Sequence, residues 1–192
     1  MLKTENFEQV EIESQAQLRA WLVKNNAQQK SIWLVTFKKQ VPDKYVSMQE
    51  VLDELLCFGW IDGIRRKLDH DRTMQLIAPR KVEHWTKTYK DRYAKLERNG
   101  LIENAGKDSV LKSKAAGLWD FMDDVDALIK PEDFIKVFGE YENATNNFNA
   151  FGASSQRFVL RWIKLAKTAE TRAKRIEQAA ELADKNLKIP GL

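Results

Sequence analysis

The stretch LLCFGWIDGIRRKLDHDRTMQLIAPR, Leu55 to Arg80, decides the fold. Its first residues continue a helical pattern (Met48, Val51, Leu52, Leu55, Leu56) that begins at the capping box Ser47-Met48-Gln49-Glu50. Trp60–Leu68 and Arg72–Ala78 then read as two strands joined by the three-residue turn Asp69-His70-Asp71. Pairing across that turn sets Leu68 opposite Arg72, Arg66 opposite Met74, Ile64 opposite Leu76, Asp62 opposite Ala78 and Trp60 opposite Arg80. Period-two alternation places Trp60, Asp62, Ile64, Arg66 and Leu68 on one face with Arg72, Met74, Leu76, Ala78 and Arg80. An apolar row there carries charges.

Upstream, Ser14-Gln15-Ala16-Gln17 is another capping box, opening a short helix with Leu18, Trp21 and Leu22 on one side. Ser31–Lys38 is rich in β-branched and aromatic residues and reads as a buried strand. Downstream, Trp85, Tyr89, Tyr93 and Leu96 form a helical stripe that Gly100 can end. Lys130-Pro131-Glu132-Asp133 starts a further helix, with Pro at its first position. From Phe158 to Leu187 apolar residues recur at threes and fours, as in one long amphipathic helix or a helix pair. The expected fold is therefore α+β. Residues 1–100 carry a small antiparallel sheet with helices, and residues 101–192 form an all-helical region packed with it as one unit.

Composition narrows the function. Cys57 is the only cysteine, which excludes an intramolecular disulfide and every multi-cysteine zinc pattern. With only His70 and His84 besides, neither a metal nor a cofactor is expected. The longest run of apolar residues and glycine, Leu55–Ile61, has seven residues against the ~20 that cross a bilayer. Glu5, Glu8, Glu11 and Glu13 stand where a signal peptide would be apolar, so the expectation is a cytoplasmic protein without membrane insertion. The net charge of +4 is segregated: +6 over residues 65–98, −6 over 118–142 and +6 over 157–175. A basic block permits an anionic partner without requiring one.

The candidate site is the end of the hairpin together with the start of the next segment: Trp60, Asp62, Arg66, Arg72, Arg80, Lys81 and Trp85. Arg80 is expected opposite Trp60 and diagonal to Asp62. Lys81, His84 and Trp85 are expected at a helix start, where free N–H groups favour an anion. Two readings stay open. One is a surface that recognises a small anionic ligand or a protein partner; the other is a buried Asp62–Arg80 ion pair tying hairpin to helix. An enzyme with a polar pocket at Asp62, Arg66, Arg80 and Trp85 is the alternative function, although nucleotide-loop, nucleophile-elbow and metalloprotease motifs are absent and no catalytic residue is assigned. Cys57 reads as a buried inert thiol, His84 as a surface or capping residue and His70 as a solvated turn residue. The acids Asp120, Asp123, Asp124 and Asp126 lack a calcium-loop pattern and read as a solvated segment. Nucleic-acid binding is disfavoured because Trp85, Tyr89, Tyr93 and Trp162 fall on apolar stripes that a core needs.

Several motifs in order resemble the YdeI/OmpD-associated, bacteriocin-protection family. They are Trp33 to Lys39 (W-x-x-x-x-K-K), Tyr45, and the segment Leu56-Cys57-Phe58-Gly59-Trp60-Ile61-Asp62-Gly63. They continue with Ala78-Pro79-Arg80-Lys81, the Trp85 helix with Arg92, Leu96 and Gly100, and Ala166–Ile176 (AKTAETRAKRI). The likeness spans nearly the whole chain and departs after Trp85, where Thr88 stands in place of an asparagine. It implies a role in protection against antimicrobial peptides or bacteriocins and a possible association with a porin. It implies no reaction.

Overall fold

Two serines start helices by the same device. Ser14 Oγ accepts the Gln17 N–H at the head of α1 (Gln15–Asn25), and Ser47 and Glu50 close a complete capping box at the head of α2 (Met48–Cys57). The computed structural model, which describes residues 7–189, sets these helices against a sheet. Its strands are β1 (Gln9–Glu11), β2 (Ile32–Phe37), β3 (Trp60–Lys67) and β4 (Arg72–Pro79), in the order β1-β2-β4-β3. Both β2 and β3 run antiparallel to β4, but β1 lies parallel to β2. The sheet is therefore mixed, a correction to the antiparallel expectation: α1 supplies the crossover that a parallel pair needs, and the three residues of β1 are too few to show a period.

The β3–β4 turn has no glycine because Asp69 does that work. Its Oδ1 accepts from the Asp71 and Arg72 N–H groups (2.9 and 2.7 Å), and its Oδ2 from Arg72 Nε (2.7 Å). Near the turn the register is as expected: Arg65 pairs with Gln75, Arg66 with Met74 and Lys67 with Thr73. A bulge at Gly63–Ile64 then slips the ladder by one residue, so that Asp62 faces Ile77, Ile61 faces Ala78 and Trp60 faces Pro79. The expected pairs Asp62–Ala78 and Trp60–Arg80 do not form. Ile64, expected on the buried row, is 49% exposed.

Leu18 and Leu22 of α1 and Val51, Leu55 and Leu56 of α2 share one core with Ile32, Leu34, Trp60 and Ile77 of the sheet. The centre of the layer is α2, which packs against α1, β3, α3 (Lys87–Arg98) and α4 (Asn104–Ala115). Thr86, in extended conformation, is the N-cap of α3, so Lys81, His84 and Trp85 precede the helix and do not begin it. Two glycines let α4 cross the end of α2. At Gly59 (φ +71°) a Cβ would lie 2.8 Å from the Ala105 carbonyl oxygen, and at Gly106 one would lie 2.4 Å from that of Cys57. Cys57 itself is buried, and burial pushes its thiol up to about 11, as an inert core cysteine requires.

The chain divides into two compact units between Phe121 and Met122. The second unit is helical: α5 (Asp123–Asp126), α6 (Glu132–Gly139), α7 (Ala144–Ala150), α8 (Ala153–Lys164) and α9 (Ala169–Asp184). Its core is an aromatic cluster of Phe134, Phe138 and Phe148 under the small face Ala179, Ala180 and Ala183 of α9. Asn147 Nδ2 donates to the Ala183 and Asp184 carbonyls at the end of α9 (2.9 and 3.2 Å). The apolar run after Ser154 is a helix pair, broken before Thr168, whose hydroxyl caps α9.

Because backbone atoms oppose a methyl at Gly106, Gly106→Ala should cost about 1–3 kcal/mol in urea unfolding. An unchanged midpoint would contradict the close α2–α4 crossing.

Candidate functional site

The seven predicted residues lie on different surfaces, and the bulge separates Trp60 and Asp62 from Arg66. A one-residue slip exchanges the faces of a strand, so Asp62 and Trp60 lie on the helix side with Gln75 and Ile77, whereas Arg66 lies on the opposite face with Met74. There its guanidinium sits 5.4 Å from the Trp33 ring. Arg72 is also on that face, bound to Asp69 (2.6 Å) and Glu11 (2.5 Å). Lys81 is an exposed residue of the β4–α3 connection, outside any helix N-terminus. Trp60 is wholly buried, edge-on to Trp21 at 5.5 Å, with its Nε1 donating to the Asn26 carbonyl (3.4 Å). It stacks on no arginine.

Asp62, Arg80 and Trp85 stay together, joined by Tyr89. The Tyr89 hydroxyl donates to Asp62 Oδ1, and Gln75 Nε2 donates to Asp62 Oδ2 (3.2 Å). Arg80 lies against two rings, 4.1 Å from the Tyr89 centroid and 4.7 Å from that of Trp85, and its Nη1 donates to the His84 carbonyl (2.6 Å). Each ring contact is worth roughly 0.5–2 kcal/mol. Asp62 and Arg80 make no direct ion pair; the Tyr89 phenol lies beside both. Burial pushes Arg80 down to about 10 against the opposing pull of Tyr89 and Asp62. Burial, reinforced by the Asp62 charge, pushes the Tyr89 phenol up to about 12. Arg80 Nε and Trp85 Nε1 are buried without a hydrogen-bond partner.

Arg80 also forms part of the wall of a pocket of about 410 Å3. Gly59 and Phe58 line it from the α2–β3 turn, Asn26 from the cap of α1, Gln29 from the α1–β2 connection, and Asp108, Ser109 and Lys112 from one side of α4. The Arg80 N–H donates to the Gly59 carbonyl (2.9 Å), which ties two of these walls together. Neither Tyr89 nor α4 belongs to the site expected from the sequence. A tyrosine on an otherwise apolar stripe carries a polar tip that needs a partner, and that is the one local signal for Tyr89. The contribution of α4 is a long-range contact with no local signature.

The other titratable candidates are occupied or buried. His70 contacts Asp71 at the hairpin tip (2.8 Å), Asp124 binds Lys164 (2.6 Å) and Asp120 binds Lys90 (2.9 Å). Among the described residues no cluster of His, Cys, Asp and Glu has the arrangement of a metal site, and no helix is long and apolar enough to cross a membrane. Trp85 and Tyr93 are core residues, closed to base stacking.

Residues 10–109, just over half of the chain, match a family described as a domain of unknown function, DUF8412, and the chain belongs to that family. Residues 127–186 match a second family, described as bacteriocin-protection, YdeI or OmpD-associated. The likeness to bacteriocin-protection proteins is thus matched over the second unit, which holds Ala166–Ile176. The segment Leu56–Gly63 and Arg80 fall within the first match. Comparison with curated proteins and with solved structures finds no match.

Tyr89→Phe removes a donor from a half-buried carboxylate and should cost about 1–3 kcal/mol at neutral pH. The raised Tyr89 pKa works in one direction: its stabilisation is complete below about 10 and is lost as the pH rises through about 12. Urea unfolding should therefore show wild type and variant converging across that window. A gap that stays constant with pH would contradict the Tyr89–Asp62 bond.

Proposed function

We propose that the chain is a bacteriocin-protection-type protein that acts by binding, and that its first unit holds a small anionic ligand in the Arg80 pocket. The family matched by residues 127–186 supports the first part. The second rests on one observation: Arg80, a residue of an open pocket's wall, has a desolvated guanidinium without a direct carboxylate partner and with an unsatisfied Nε–H. A buried donor left unpaired costs about 1–3 kcal/mol, which a ligand oxygen recovers. An anion also relieves the burial penalty that depresses Arg80. Lys112, which meets no carboxylate among the described residues, adds a second positive charge, while Asp108 disfavours a ligand that fills the α4 side with negative charge. Ser109, Asn26 and Gln29 offer polar contacts, and Phe58, Pro79 and Val82 an apolar wall. A compact carboxylate or phosphate with a part-apolar body suits this lining.

Binding is favoured over catalysis because the reactive groups do not converge. Of Asp62, Arg66, Arg80 and Trp85, only Arg80 lines the pocket. Asp62 is engaged by Tyr89 and Gln75, and the Cys57 thiol is held neutral in the core.

Thermal unfolding with phosphate, citrate and short carboxylates, at ionic strength matched with chloride, tests the reading. At least one anion should give a saturable rise in Tm with wild type, worth about 2.7 kcal/mol at a hundredfold excess over Kd. Arg80→Lys, which keeps the charge but not the Nε–H, should bind it about tenfold or more weakly. A saturable shift of the same size in Arg80→Lys and Arg80→Ala, or none with any anion, would overturn it.

A further inference from the structure

The opposite side of α4 carries a second pocket, also of about 410 Å3, that shares no residue with the first. Positions 105, 108, 109 and 112 line one pocket and positions 107, 110, 111 and 114 the other, which at 3.6 residues per turn are opposite faces of one helix. From this second pocket we infer a binding site for an amphipathic anion: an apolar acyl or aryl body bearing a carboxylate or sulfonate head.

The pocket lies between α3 and α4 and ends at Trp119. Tyr93 and Val110 give it an apolar floor, and Leu111 leaves 61% of its surface in water at the wall, where an apolar body would cover it. One part of the Trp119 ring is packed on Trp85, with centroids 4.8 Å apart. The ammonium groups of Lys90 and Lys114 lie 5.2 and 5.1 Å from the same ring, so two cations gather at the indole end. Lys90 is shared with Asp120 (2.9 Å), but Lys114 meets no carboxylate among the described residues, nor does Lys107 further along the wall. The lining's one acid, Glu97, accepts a hydrogen bond from the Tyr93 hydroxyl (3.2 Å). Positive charge at an aromatic end and exposed leucine along the wall match a ligand with one anionic head and an apolar body. A small inorganic anion would leave Leu111 and Trp119 uncovered. A polyanion would meet Glu97.

The test uses the full chain and 8-anilinonaphthalene-1-sulfonate, a planar aryl anion whose emission rises on desolvation. Dodecanoate serves as the acyl competitor. Leu111 and Lys114 are both exposed, so Leu111→Asp and Lys114→Glu leave the core intact. Wild type should bind the dye saturably, and each substitution should weaken binding at least tenfold. Displacement by dodecanoate then identifies an acyl site, and resistance to it an aryl site. Dye emission that survives both substitutions overturns the inference. The apolar pocket around Phe151 and Leu187 in the second unit would give that result. Absence of saturable binding to wild type overturns it equally. Arg80→Lys lies outside this lining, so dye binding that persists in that variant separates the outcome from that of the Arg80 pocket.

Discussion

The bulge at Gly63–Ile64 decides which face of the sheet Asp62 occupies. Before it, β3 sends Trp60 and Asp62 toward the helices; after it, Arg66 points to the other face of the sheet. Gly63 suits the position because a Cβ there would come within 3.3 Å of the Leu76 carbonyl oxygen. With Asp62 turned inward, its carboxylate is half-buried and must find donors, which Gln75 and Tyr89 supply. Tyr89 in turn gives Arg80 one of its two ring neighbours. Restoring the regular ladder would return Asp62 to the face of Arg66 and dissolve the arrangement.

A second constraint is the closeness of α4 to α2. Gly59 and Gly106 remove the side chains that would hold the helices apart, and α4 then borders a pocket on either side. The aromatic contacts continue from Arg80, in the wall of one pocket, through Trp85 to Trp119 at the end of the other. Arg80 is tolerated in that column by ring contacts, a carbonyl acceptor and the nearby Asp62 charge, which together offset part of its desolvation.

Local signals are legible in the sequence where they are self-contained. The serine caps of α1 and α2, the alternation-free buried strand β2 and the hairpin tip held by Asp69 all depend on residues within a few positions of one another. The bulge does not: Trp60-Ile61-Asp62-Gly63-Ile64 alternates equally well in either register, and packing against α2 and α3 chooses between them. The same holds for the start of α3. Trp85 has the spacing of a helical stripe, but its indole is held at the core before the helix begins at Lys87. Of the candidate site, Arg80 and its pairing with Trp85 are legible as a cation beside an aromatic; Tyr89 as the link to Asp62 and α4 as the pocket wall are not, since both arise from tertiary contact.

The binding reading requires that the Arg80 Nε–H be desolvated and unpaired in the free protein and accept an anion as its partner. Proton–nitrogen NMR of arginine side chains, with the Arg80 signal assigned by its loss in Arg80→Lys, observes that group directly. The expected result is a resolved Nε–H signal that exchanges slowly with water and moves saturably with phosphate or citrate. A signal that exchanges as fast as those of surface arginines, and stays in place through the titration, would contradict it.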